Sequence, residues 1–276
     1  MAHNIYFQGS DVALQLAVDA DSPPAIAAAL AHGASVNARE REVGGTILEY
    51  AVAQFRNRAV GALLQAGADP NLRDRDGDNA VTLAVRAFSR DPQLLPMVLA
   101  HGGDANTFSP RGSYVIDHFL TDRNFAGLEL LVKYGADLNV RQPSAQPPDQ
   151  GGNWMAERPF GGWDMKGGPP EILDLASADY WDVVLKMLQL GAKFDYPDEP
   201  ITFTDMYRGN GATFPPPDSW LYYYKLKCYE FMKAHGLKLP PFGPGAGGAD
   251  GASANWTPPP GPDPFAHEFL ANPKAG

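Results

Sequence analysis

The phrase "ALLQAGADPN", Ala62–Asn71, has close relatives in the same chain: "ALAHGASVN" (Ala29–Asn37), "VLAHGGDAN" (Val98–Asn106) and "LVKYGADLN" (Leu131–Asn139). Their glycines, Gly33, Gly67, Gly102 and Gly135, stand 34, 35 and 33 residues apart. That is the period of a helical repeat rather than of one globular core. Gly191, in "KMLQLGAKFD", and Gly236, in "FMKAHGLKLP", continue the series less regularly.

Upstream of each glycine, apolar residues recur at minus 7, minus 4 and minus 3, as in Val60, Leu63 and Leu64 or Val184, Met187 and Leu188. Those offsets fill one stripe of an α-helix, and the glycine follows where a left-handed residue ends the helix at low cost. The sixth copy offers Tyr229, Met232 and Lys233, so its last position predicts a solvated end. Short apolar segments, "VALQLAV", "TILEYAV", "AVTLAV", "YVIDHFL" and "EILDLAS", predict a helix before each of the first five. Asn37, Asn71, Asn106 and Asn139 read as turn formers whose short amides bond their own turn. His32, His101 and His235 each precede a glycine, where a helix C-terminus favours a polar or cationic side chain.

On these residues the chain resembles the ankyrin family, whose unit is a helix entered by G-x-T-P-L-H-x-A, a second helix and a G-A-D-x-N turn. "GGTILEYA", Gly44–Ala51, keeps the Gly, Thr, Leu and Ala of that signature with Ile47 and Glu49 in place of Pro and His; "GDNAVTLA", Gly77–Ala84, keeps less. The resemblance implies an all-α solenoid of helix-turn-helix units with β-hairpin fingers, about six repeats over 11–239, ending in an irregular last repeat and cap at 196–239. It also implies a partner-binding surface on fingers and first-helix ends, which here holds Arg39, Arg41, Arg73, Arg75, Arg86, Phe108, Arg111, Thr121, Asp122 and Asp179.

Departures from the period mark where a chain of this kind does something more. An inserted loop, 140–168, is rich in Pro and Gly yet holds Trp154, Phe160 and Trp163. Those rings either fold back to seal a concave face or form part of a partner-binding surface, since Trp is enriched in interface hot spots. Residues 240–276 are too rich in Pro, Gly and Ala to pack and read as an extended tail. The opening "MAHNIYFQGS" reads as a tag remnant with an altered protease site, outside the fold, which leaves the compartment (cytoplasmic, periplasmic or secreted) unread.

A formal net charge of -10 and a pI near 5.0 argue against nucleic-acid binding, which needs cationic surface to displace counterions. No apolar run approaches the roughly 18 residues of a membrane span, so no membrane insertion is expected. Cys228 is the sole cysteine and reads as a core thiol. No catalytic motif, metal-ligand spacing or cofactor loop is present. Asp117 and His118 are adjacent and so diverge on a helix. The expectation is a non-catalytic scaffold, monomeric alone and without cofactor or metal, holding a protein partner on its concave face and inserted loop. An Ala-, Pro- and Gly-rich composition looks bacterial and suggests an immunity or inhibitor protein for a toxin. The alternatives are a secreted effector or adaptor, or an unrecognised enzyme using the inserted loops.

Overall fold

The computed structural model describes residues 6–110, 112–141, 169–208, 215–216, 218–242 and 263. Among them run twelve helices: α1 (Asp11–Asp19), α2 (Pro23–Ala31), α3 (Ile47–Ala53), α4 (Asn57–Gln65), α5 (Ala80–Ala87), α6 (Leu94–Ala100), α7 (Val115–Thr121), α8 (Phe125–Lys133), α9 (Glu171–Ser177), α10 (Trp181–Gln189), α11 (Phe203–Arg208) and α12 (Trp220–Ala234). None is long and apolar enough to cross a membrane. By their contacts the described residues form two compact units, 6–122 with 127–136, and 123–126 with 137–141 and the residues from 169 onward.

The glycine of each phrase does what local sterics demand. Gly33, Gly67, Gly102, Gly135, Gly191 and Gly236 have φ between +89° and +97°, a region that glycine enters without the clash a Cβ would suffer. Each closes a Schellman turn, the next N–H reaching back to a carbonyl in the last helical turn: Ala34 to Ala29, Ala68 to Leu63, Gly103 to Val98, Ala136 to Leu131, Ala192 to Met187 and Leu237 to Met232, at 2.9–3.1 Å. The imidazole Nδ1 of His32, His101 and His235 lies 2.7–2.8 Å from the carbonyl four residues earlier. Those side chains therefore close the ends of α2, α6 and α12.

The asparagines work over longer range than the sequence suggests. The tight turn itself is bonded by aspartate: Asp69, Asp104 and Asp137 accept from the N–H of Asn71, Asn106 and Asn139 at 2.8–2.9 Å. The asparagine side chain reaches the following helix pair, and that of Asn139 also bonds within its own turn, Nδ2 donating to Asp137 Oδ1 at 3.0 Å. Asn37 Oδ1 accepts from Asp69 N–H at 2.9 Å and Asn71 Oδ1 from Asp104 N–H at 2.8 Å. Asn71 and Asn106 also donate to the Gly102 and Gly135 carbonyls. In the second unit, Asn139 Oδ1 accepts from Lys193 N–H at 2.7 Å.

In the first unit, α2 packs on α4 and α4 on α6, while α3 packs on α5 and α5 on α7. The apolar stripe supplies this core: Val60, Leu63, Leu95, Val98, Leu128 and Leu131 are all fully buried. Gly127 lets α8 approach α7, because a Cβ there would come within 2.5 Å of the Phe119 ring. Phe119 is itself buried and has little room to yield. Gly127→Ala is expected to cost about 1–3 kcal/mol through overpacking, read from the shift in urea midpoint; a change within about 0.5 kcal/mol would show that the ring moves freely.

In the second unit the core is aromatic. Trp181 lies 6.2 Å from Phe203 and 5.6 Å from Tyr207, which in turn stands 5.3 Å from Tyr229 and 5.8 Å from Phe242. Lys225 is buried among them, its Nζ 4.9 Å from the Trp181 ring centroid, and burial pushes its pKa down. Cys228 is buried with Sγ 3.3 Å from the Trp181 carbonyl. Lys233, at the end of α12, is exposed.

The architecture expected from the ankyrin resemblance does not form. Its β-hairpin fingers are absent among the described residues, where the links between helix pairs carry only isolated antiparallel bridges, Arg39–Thr46, Phe108–Tyr114 and Arg141–Pro170. The reason lies in the loops' own side chains. The Glu40 carboxylate accepts from the backbone of Glu42, Val43 and Gly45, and Asp74 accepts from Asp78 N–H. Groups that a strand ladder would pair are thereby bonded locally. Among the described residues each unit is built of paired α-helices, without the hairpin fingers of the expected solenoid.

Candidate functional site

The expected binding residues are dispersed, and most are already bonded within the protein. Arg39 Nη1 donates to the Gly44 carbonyl at 2.6 Å and to the Arg73 carbonyl at 2.8 Å. Arg73 repeats the pattern with the Gly77 and Phe108 carbonyls, at 2.5 and 3.0 Å, and adds the Thr107 hydroxyl. Arg75 donates to the carbonyls of Arg41 and Glu42. Three guanidinium groups thus tie each loop to its neighbour, and their planar, multi-donor geometry suits that role.

Arg86 forms a bidentate pair with Asp78 at 2.6 and 2.8 Å, and the Phe108 ring lies 4.3 Å from Tyr114. Thr121 and Asp122 are exposed at the end of α7. Asp179, in the second unit, holds the Trp181 indole N–H at 3.0 Å. Arg39, Arg41, Arg73, Arg75 and Phe108 therefore share one strip; Thr121 and Asp122 belong to the end of α7, and Asp179 belongs to the second unit. Arg111, Trp154, Phe160 and Trp163 lie outside the described residues.

Beneath this strip sits Glu49, which completes a capping box with Thr46 at the start of α3. Burial pushes its pKa up to about 7, against the Thr46 N–H that favours the carboxylate. A concave binding face lined by finger tips presupposes the fingers. Without them that scaffold mechanism has no structural basis, and the immunity, inhibitor, effector and adaptor roles built on it fall too.

A different site emerges at the start of the first unit, where no binding residue is expected from the sequence. Gln15 interrupts the apolar stripe of α1 and is fully buried. Its Oε1 accepts two consecutive backbone N–H groups, Tyr6 at 2.9 Å and Phe7 at 3.3 Å. Its side chain also bonds the Tyr50 hydroxyl, and that hydroxyl donates to Asp19 at 2.7 Å. Burial and then Asp19 push Tyr50 up to about 12, so it remains a neutral donor through physiological pH.

The Phe7 ring, 2% exposed, meets Tyr50 edge-on at 6.0 Å, and the Tyr6 ring lies 5.8 Å from the same Tyr50 ring. The notch thus holds two backbone N–H groups on one amide and one aromatic side chain beside Tyr50. A polar residue inside the periodic run "VALQLAV" was the available signal, because a buried amide needs partners from elsewhere in the chain.

No known family model matches the chain, so the ankyrin resemblance gains no support as family membership, and the fold and the notch rest on this chain's own geometry.

Proposed function

We propose that the chain is a non-catalytic polypeptide-binding protein whose first unit seats an extended segment of a protein partner in the Gln15–Tyr50 notch. The observation that supports this is the buried Gln15 amide bonded to two successive N–H groups of Tyr6–Phe7. Backbone recognition tolerates many sequences, while the pocket filled by the Phe7 ring selects an aromatic residue at one position. Tyr6–Phe7, within the segment that reads as a tag remnant, packs into the fold and fills the notch at high effective concentration, so a partner segment must displace it.

The test uses the full chain with Phe7→Ala, which empties the ring pocket and weakens the internal occupant. A synthetic peptide spanning Ile5–Ser10 should bind it saturably and raise its Tm, and the additional change Gln15→Leu should abolish both effects. Heat release absent from the titration, or binding that survives Gln15→Leu, would reduce Tyr6–Phe7 to terminal packing.

A further inference from the structure

The first turns of α12 carry three aromatic side chains, Trp220, Tyr223 and Tyr224, at a spacing that places them on one side of the helix. Trp220 lies 5.7 Å from Tyr223 and 6.4 Å from Tyr224, and the two tyrosine rings are 5.3 Å apart. All three are only partly buried, unlike Tyr207, Tyr229 and Phe242, which form the core of the same unit. Ser219 fixes the start of the helix by accepting from Tyr222 N–H at 3.2 Å. The cluster therefore stands on a rigid, capped element.

One residue from far along the chain is seated on it: the Tyr224 hydroxyl donates to the Asp263 carboxylate, 39 residues on. Asp263 lies inside "TPPPGPDPF", with Pro258, Pro259, Pro260, Pro262 and Pro264 around it. Proline fixes φ, so such a segment has little backbone entropy to lose on docking. Flat aromatic surfaces with hydroxyl donors are the chemistry that accepts it.

We propose that Trp220, Tyr223 and Tyr224 form an aromatic platform for proline-rich polypeptide, and that this chain's own Pro258–Pro264 is its occupant. This site is separate from the Gln15 notch in residues and in ligand chemistry, and either can fail without the other.

The experiment uses the full chain with all five of those prolines changed to glycine, titrated calorimetrically with a synthetic peptide of residues 257–265. Saturable one-to-one binding is expected, at least tenfold tighter than to the unaltered chain, whose own segment competes. Adding Trp220→Ala should abolish it. Tyr224→Phe, which keeps the ring, should weaken it several-fold and guards against a Trp220 variant that fails to fold. Equal binding by the proline-substituted and unaltered chains would overturn the proposal. So would equal binding of a peptide with its prolines replaced by glycine, since Asp263 alone would then carry the contact.

Discussion

Phe242→Ala should destabilise the protein by about 3–5 kcal/mol, the range for removing a large buried aromatic side chain. Phe242 is 4% exposed and packs 5.1 Å from both Tyr222 and Tyr229, as well as against Tyr207. The Tyr229 hydroxyl donates to the Pro240 carbonyl at 2.9 Å, which fixes the chain leading into that contact. A chain ending at Leu239 should therefore lose about as much as the point variant. The composition of 240–276 predicts a tail that contributes nothing to stability, and Phe242 is the residue that departs from that expectation. Urea unfolding of both variants is the measurement; a loss below about 1 kcal/mol in either would mean that the aromatic core closes without Phe242.

The second large effect depends on pH. Asp117, in the first turn of α7, is pushed from 3.8 up to about 7 by burial, with only the Tyr114 N–H favouring its charged form. Its Oδ1 is buried without a hydrogen-bond partner. A raised carboxyl pKa contributes stability that is fully present below about pH 4, where folded and unfolded chains both carry the proton. That stability is lost as pH rises through the folded value near 7. Each pH unit in the window is worth about 1.4 kcal/mol, so the loss attributable to Asp117 reaches up to about 4 kcal/mol. Glu49, also near 7, acts in the same direction.

Asp117→Asn should abolish its share of the slope, leaving the variant more stable than the parent at pH 8 and little changed at pH 4. The checking quantity is the difference between the two stability curves from pH 4 to 8. A flat difference would show that Asp117 titrates like an exposed carboxylate.

Helix content and the ends of the second helices were legible because their causes are local. An apolar stripe and a left-handed glycine fall within one dozen residues, as Leu63, Leu64 and Gly67 illustrate. The links between helix pairs were not legible. Whether Arg73 faces a partner or the Phe108 carbonyl depends on a residue 35 positions away, and charge counting carries no such information. Asn71 looked like a turn former because asparagine commonly is one; its amide bonds residues 31 and 33 positions distant. The expectation of fingers rests on a family signature, while Glu40 and Asp74, which take up the loop backbone, are not part of it. Gln15 is a polar interruption in an apolar run, but its partners, Tyr6 and Phe7, lie in a segment whose sequence reads as a tag remnant.

The joint between Asn139 and Lys193 is made across 54 positions, where those of Asn37 and Asn71 span 32 and 33. Its hydrogen bond, at 2.7 Å, is no longer than theirs. Docking is thus addressed by a side chain at the end of a helix pair and not by the length of tether that follows. Because closing a longer loop adds little entropy once the ends have their own attachment, the register of this joint is set by the asparagine amide and not by how many residues separate it from Lys193.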